Sequence, residues 1–332
     1  EGLKDKSKAP KVCHNKKSSI LVDLVVREKL RNIKRGPKKI YARLKEVYPY
    51  LDIPCPSTIG YWLIEKGLVC KRKKRFKVDP YTEPFMDCQS ANAVWSADYK
   101  GEFKTKDGER CYPLTISDNY SRYLIKCKGL LRPNYKGSRE VFEKVFKEYG
   151  LPVSIRTDNG TPFASKSLGG LSRLSIWWIE LGIIPERIRK GCPQENGRHE
   201  RMHRTLKDEA IDPAAENISA QQEKFDLFHV EYNKYRPHEA LNQKVPASYY
   251  QKSTKEYTDK IKEPEYDSSC SVAKVSKKGD IKVRGKHYFI SELLQGKKVG
   301  VKDIKDGFVG VYYSFYMIGI IDLQKKKVLR KV

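Results

Sequence analysis

Apolar positions recur at helical spacing over residues 18–34, where Ile20, Leu21, Leu24, Val25 and Leu30 predict an amphipathic helix. A second helix is expected after RGPKK, with Ile40, Leu44 and Val47 on one face and Pro37 in its first turn, where a missing N–H costs little. A third follows PCPS, with Ser57 as the expected N-cap and Gly67 as the stop. Ile59, Trp62 and Leu63 would face inward, leaving Thr58, Tyr61, Glu65 and Lys66 outward. Three short helices of this kind fit a helix-turn-helix whose last helix enters the major groove, with a plain three-helix bundle as the alternative.

The period then changes. Residues 78–92 contain two prolines and few aliphatics and read as a linker. Strand-like runs at 93–99, 111–117 and 123–130 are separated by the turn signals KDGE and DNYS. A helix at 136–149 leads to the strand VSIRT (153–157), a helix near 171–181, a short strand around Ile183–Ile184, and helices at 196–210 and 219–235. Three strands followed by alternating helix and strand predict an α/β layer. From about 272 the runs IKV, HYFI, KVGVK, FVGVYY and MIGIIDL alternate, with Arg284-Gly285 and Asp306-Gly307 as hairpin turns. The expected organisation is an all-α domain over 1–77, a linker over 78–92, an α/β core over 93–252, a linker over 253–271 and a small all-β domain over 272–332 that binds DNA, mediates assembly, or both.

Charge sharpens this division. Of a net +26, residues 1–80 supply +14 (22 Lys/Arg against 8 Asp/Glu) and residues 271–332 supply +10, so the middle is nearly neutral. Two basic ends around a neutral core suggest two grips on a polyanion, and KRKKRFK (71–77) would meet phosphates through Lys71, Arg72, Lys73, Lys74 and Arg75. No apolar run approaches a membrane span, and the polar start EGLKDKSKAP, lacking an initiator Met, carries no signal peptide. Eight cysteines without a CxxC pair or zinc-finger spacing predict a reducing cytoplasm and neither zinc nor disulfides.

Three carboxylates in the neutral core have unusual surroundings. AVWSADYKG (93–101) puts Asp98 in the first strand. IRTDNGTPFAS (155–165) puts Asp158 at a strand end, where Asn159-Gly160 turns the chain. CPQENGRHERMHRTLK (192–207) opens a helix with Glu200 one turn inside. Mg²⁺ and Mn²⁺ want oxygen ligands, and phosphodiester chemistry by two such ions needs carboxylates converging from different elements. Asp118, in DNYSRY, reads as a turn residue rather than a ligand. His199 and His203 flank Glu200 and read as phosphate contacts or packing, Trp177 and Trp178 as core and an interdomain contact. Asn159 and Asn196 are candidates for orienting carboxylates.

With GPKKIYARL…PSTIGYWLIEKGLV, WSADYKGEF, PLTISDNYSRYL, RTDNGTPFAS, NGRHERMHRTLK and YNKYRPHEALNQKVPASYY in place, the chain resembles the bacterial insertion-sequence DDE transposases, whose retroviral-integrase-like core is ribonuclease-H-like. The resemblance implies a mixed sheet flanked by helices, two Mg²⁺ ions (with Mn²⁺ as substitute) on Asp98, Asp158 and Glu200, and DNA contacts from Arg204 and Lys207, to which Asn196 is added as a candidate DNA contact. It also implies double-stranded DNA partners, terminal inverted repeats and target, gripped by a dimer or larger assembly. Forty-one residues separate Asp158 from Glu200, against about 35 in many members; Glu195, with 36, fits the count better. The local Asn-Gly, Glu-Arg, Leu-Lys pattern favours Glu200, with the surplus in SKSLGGLSR (165–173) and Glu195 ahead of the helix, facing solvent. A catalytically silent DNA-binding repressor and a plain ribonuclease H are the competing functions.

Overall fold

The computed structural model describes residues 18–69, 88–165, 170–189, 193–261, 263–305 and 307–329. The chain divides into two compact units, one formed by residues 1–77 with 235–244 and the other by 78–234 with 245–332. The expected phosphate-binding residues Lys71, Arg72, Lys73, Lys74 and Arg75 lie outside the described residues.

In the first unit the helices are α1 (Ser19–Arg31), α2 (Pro37–Val47) and α3 (Pro56–Glu65). Val25, Ile40, Leu44, Ile53, Ile59 and Leu63 close its core. Buried Lys29 donates to the Ile33 and Arg35 carbonyls and Arg35 pairs with Glu28, so the α1–α2 turn is tied by charge-assisted bonds. The α3 N-cap is Cys55, not Ser57: Pro56 takes the first helical position, where its fixed φ and missing N–H suit the helix, and the cap lies two residues earlier. Gly67 ends the helix at φ +67°, as expected. Tyr61, Glu65 and Lys66 are exposed and Thr58 half-buried.

The second unit begins with β1 (Val94–Tyr99), β2 (Phe103–Lys104), β3 (Arg110–Asp118), β4 (Leu124–Leu130), α4 (Tyr135–Tyr149), β5 (Ser154–Thr157), α5 (Arg173–Glu180), β6 (Ile184–Arg187), α6 (Gly197–Leu206) and α7 (Ile218–Val230). The sheet runs β4-β3-β1-β5-β6, antiparallel across β4, β3 and β1 and parallel across β1, β5 and β6, with β2 on the start of β3. The period of two decides its faces. Trp95, Ala97, Leu114 and Ile116 enter one layer with Phe142 and Phe146 of α4 and Trp177 and Trp178 of α5. Cys111, Leu124 and Cys127 enter the other with Met202 and Leu206 of α6 and Phe225 and Phe228 of α7. Asp98, out of phase with Trp95 and Ala97, therefore projects to the α6 side.

The expected helices at 196–210 and 219–235 are shorter. α6 gives way to a π-turn over Lys207–Ile211 and α7 to one over Glu231–Tyr235. Residues 245–261 then run as a strap along the core, with Tyr250 stacked on Tyr123 at 4.3 Å and Tyr257 against Phe146 and Trp177.

The β region contains β7 (Ser271–Lys274), β8 (Asp280–Val283), β9 (Lys286–Phe289), β10 (Lys298–Lys305), β11 (Phe308–Tyr313), β12 (Tyr316–Asp322) and β13 (Lys327–Leu329). A five-stranded sheet, β13-β12-β11-β10-β7, accompanies the β8–β9 hairpin, whose turn residues Arg284 and Gly285 have φ of +48° and +80°. Its core takes in Ile176 and Ile179 of α5. Glu180 also accepts the Tyr313 hydroxyl at 2.6 Å and pairs with Lys297. Trp177 and Trp178 fill the core as expected, but the interdomain contact also expected of them is made, toward the β region, by Ile176, Ile179 and Glu180.

Candidate active site

Parallel pairing of β1 with β5 puts Ala97 beside Thr157. The next residue on each chain is Asp98 and Asp158, at neighbouring strand ends roughly 4.8 Å apart in the ladder direction. Asp158 sits where the chain leaves the sheet: its Oδ1 accepts the Gly160 N–H at 3.0 Å, and a Cβ on Gly160 would meet Asp158 Oδ2 at 2.9 Å. Gly160 thus leaves room for the carboxylate, and Asn159 donates to the Ile188 carbonyl at 2.8 Å to tie the turn to the strand-β6 exit.

Glu200 arrives from α6 with an exposed side chain. Asp98 feels both of the other acids. Burial, then the Asp158 and Glu200 charges, raise Asp98 to about 7, against the lowering effect of a backbone bond at Tyr99 and of Lys100.

Behind these carboxylates is a buried polar network. Thr115 donates to the Asp98 carbonyl at 3.0 Å and faces both His199 Nε2 and His203 Nε2 at 2.7 Å; Ser117 Oγ lies 2.9 Å from His199 Nδ1. With the Thr115 hydrogen committed to Asp98, both rings satisfy it as Nε2–H donors, and His199 Nδ1 accepts from Ser117. Burial disfavours the charged form of both rings: it lowers His199 to about 3 and, with His199 and Lys100, lowers His203 to about 2. The pair is the packing that fixes α6 on β3, one of the two roles left open above. Its sequence signal was the i,i+4 spacing of the histidines opposite alternating Thr115 and Ser117. His203 Nδ1 approaches Asp98 Oδ2 only to 3.9 Å, beyond a hydrogen bond. Asp98, His199 and His203 have ligand atoms within 4.8 Å of one another, but both Nε2 atoms are engaged with Thr115.

Glu195 differs from expectation. It does precede α6, in the 3-10 turn Pro193–Asn196, yet it is buried, accepting the Arg189 N–H at 2.7 Å and Arg189 Nε at 2.6 Å. A carboxylate shut inside a turn by its own arginine is held there, because removing it from water is tolerable only with such bonds. Asn196 is buried beside it, while Arg204 and Lys207 are exposed on the α6 side that carries Glu200. Asp118 is a structural acid as expected: 1% exposed, it accepts Asn92 N–H at 2.9 Å and Ser121 N–H and Oγ at 2.7 and 2.6 Å.

The integrase core domain family matches residues 89–193, a second integrase core domain family matches 181–246, and the C-terminal domain of IS481 family transposases matches 270–329. The "Insertion element IS407 uncharacterized 31.7 kDa protein" of Burkholderia multivorans is 25% identical over 56% of the chain and 65% of its own length. The "Transposase for insertion sequence element IS904" of Lactococcus lactis is 30% identical over 48% of the chain and 61% of its own length. The chain thus spans less than two thirds of each of these relatives. A simian T-cell lymphotropic virus intasome structure, in complex with PP2A regulatory subunit B56 gamma, aligns at TM-score 0.44 and 14% identity over 89% of this chain and 97% of that one. An integrase core followed by an insertion-sequence C-terminal domain, together with these relatives, supports a bacterial insertion-sequence DDE transposase with an integrase-like core.

Proposed function

We propose that this chain hydrolyses DNA strands at the ends of a mobile element and joins the freed 3′-OH to target DNA. Asp98, Asp158 and Glu200 are its catalytic carboxylates and the ligands of two Mg²⁺ ions, with Mn²⁺ as substitute. The observation that carries this reading is the convergence of three acids from β1, the end of β5 and α6, where burial first, and then the Asp158 and Glu200 charges, raise Asp98 to about 7. The donor set fits a hard divalent cation: all-oxygen ligands, two of them at neighbouring strand ends and the third on an exposed helix face. Such ions supply activation of the attacking oxygen and charge stabilisation at the leaving 3′ oxygen.

The chain's own residues do the rest. Thr115, His199 and His203 hold α6 against the sheet, so Glu200 keeps its place over Asp98. Arg204 and Lys207 offer cations to the phosphates beside the reacting one. In the first unit, Thr58 and Tyr61 on α3 and Lys66 at its C-cap form the reading face of a helix-turn-helix, and Lys71–Arg75 add phosphate contacts. The ribonuclease-H-like core and the small β domain complete the grip on terminal inverted repeats and target. Joining two ends needs at least two copies on DNA, in a bacterial cytoplasm. Zinc has no place in the scheme. The test is Mg²⁺-dependent nicking of a plasmid carrying the element ends. Wild type should nick it and Asp158→Asn should not, with duplex binding retained; equal nicking by both sinks the enzyme reading and leaves a DNA-binding repressor. Cleavage confined to RNA–DNA hybrids would point to a ribonuclease H instead.

A further inference from the structure

The DNYSR turn between β3 and β4 is left without a role by the carboxylate site. Asp118 braces it from inside through Asn92 and Ser121. At its end Arg122 holds φ of +64°, a conformation that L residues adopt at a cost and keep where the surroundings demand it. That conformation turns the Arg122 guanidinium back onto the Asn119 carbonyl, the same oxygen to which Arg198 of α6 donates at 3.2 Å. Two guanidiniums therefore meet at one oxygen. Arg201 stands one turn further along α6, exposed, and donates to the Gly197 carbonyl of its own helix. All three hydrogen-bond carbonyls, and no carboxylate among the described residues pairs with any of them. Like charges this close cost free energy unless an anion joins them. Arg122 shows that cost: burial first, then Arg198 and Arg201, lower it to about 10, with Tyr232 and Cys88 opposing.

Place decides the anion. Trp95 pairs with Asp118 and Asp98 with Thr115, so the turn lies three residues along β1 from Asp98, ~10 Å at strand rise. Consecutive phosphates on one DNA strand advance ~3.4 Å along the duplex axis, so a duplex lying along β1 would bring the turn about three nucleotides from a phosphodiester at Asp98. α6 links the two places, with Arg198 at the turn and Glu200 two residues on. We propose that Arg122, Arg198 and Arg201 form a clamp for nucleic-acid phosphates, engaging the DNA backbone about three nucleotides from the cut. Guanidinium forks suit phosphate oxygens geometrically, and three of them face two or three phosphates. This rests on the reading of the chain as a DNA recombinase.

The experiment is fluorescence anisotropy of the full chain with a mixed-sequence duplex, in EDTA, across a salt series. Wild type is compared with Arg201→Gln and with the triple variant Arg122→Gln/Arg198→Gln/Arg201→Gln. Each lost phosphate contact lowers the slope of log K against log[salt] by about 1. Arg201→Gln should therefore lower the slope by about 1 and the triple variant by about 2 to 3. Arg201 is exposed and bonds only its own helix, so its variant folds and keeps the test decisive should the triple variant melt early. An unchanged slope for Arg201→Gln overturns the clamp, as does weakened binding to polyglutamate with DNA binding intact, the mark of a patch for acidic protein. These results stand apart from the plasmid assay: nicking lost in Asp158→Asn with unaltered arginine slopes removes the clamp and leaves the enzyme.

Discussion

A single carboxylate, Asp98, concentrates the physics of the site. Its β1 neighbours Trp95 and Ala97 are packed into the opposite layer, so alternation alone delivers it to the α6 face, half inside the protein and beside two other acids. Its folded value of about 7 exceeds the ordinary 3.8, so the folded state favours the proton. That preference stabilises the fold below about pH 4 and is lost as pH rises to about 7, leaving a plateau penalty of about 4 kcal/mol at most above it. Asp98→Asn removes the penalty. In EDTA, thermal melts should show the variant more stable than wild type at pH 8, the advantage shrinking toward zero near pH 4. Excess Mg²⁺ should narrow the gap at pH 8 by stabilising only wild type. An advantage independent of pH would mean that Asp98 carries no strained charge. Asp98 and Asp158 were legible in the sequence because a period-two strand and an Asn-Gly turn fix their placement locally. Glu195 was not. PQENG looks like a polar surface loop, and only Arg189, six residues back in chain but folded onto it, reveals a buried carboxylate.

At the scale of an element, α6 is where the reading is most exposed to test. Its inner face is polar as well as apolar: Met202 and Leu206 enter the core while His199 and His203 spend their N–H groups on Thr115. Thr115→Val is nearly isosteric but takes away the acceptor, leaving two buried imidazole donors unpaired at a cost of roughly 2–4 kcal/mol. Melting should fall by on the order of 5–10 °C, and Glu200 should lose its fixed height over Asp98, weakening Mn²⁺ binding measured by calorimetry. An unchanged melting point would show the histidines satisfied elsewhere. The two candidate glutamates separate here too. Glu200→Gln should abolish strand transfer with melting unchanged. Glu195→Gln should keep most transfer yet lower the melting point, since it loosens the Arg189 tie; the reverse pattern would hand the third carboxylate to Glu195. Element types followed from periodicity throughout this region, whereas the π-turns after α6 and α7 had no local signal. β7 and β13 were missed for another reason. Edge strands are short and blunted by lysines (SVAK and KVL), so they carry little of the alternation that marks an interior strand.

At the scale of the second unit, core and β region are joined through α5. One helix serves two interiors: Leu174, Trp177 and Trp178 fill the core, and Ile176 and Ile179 fill the β region. Such a helix is hydrophobic nearly all round, which a sequence reading sees as burial without seeing two partners. The polar fastening is Glu180, its side chain nearly buried, holding the Tyr313 hydroxyl and Lys297. The neighbouring anion raises the Tyr313 phenol, after burial, above its ordinary range. The Tyr313 bond carries more of this fastening than the ion pair does, because Lys297 is 40% exposed and screened by water. Glu180→Gln keeps an acceptor for Tyr313 and should cost about 1 kcal/mol. Glu180→Ala orphans the buried hydroxyl and should cost about 2–3 kcal/mol, all of it at the junction. Urea unfolding followed by tryptophan fluorescence, which reports the core, and by tyrosine signal, which includes the β region, should coincide in wild type and in Glu180→Gln. In Glu180→Ala the two transitions should separate, the β region melting first. Coincident curves for Glu180→Ala, at the wild-type midpoint, would show that Ile176 and Ile179 alone hold the β region to the core.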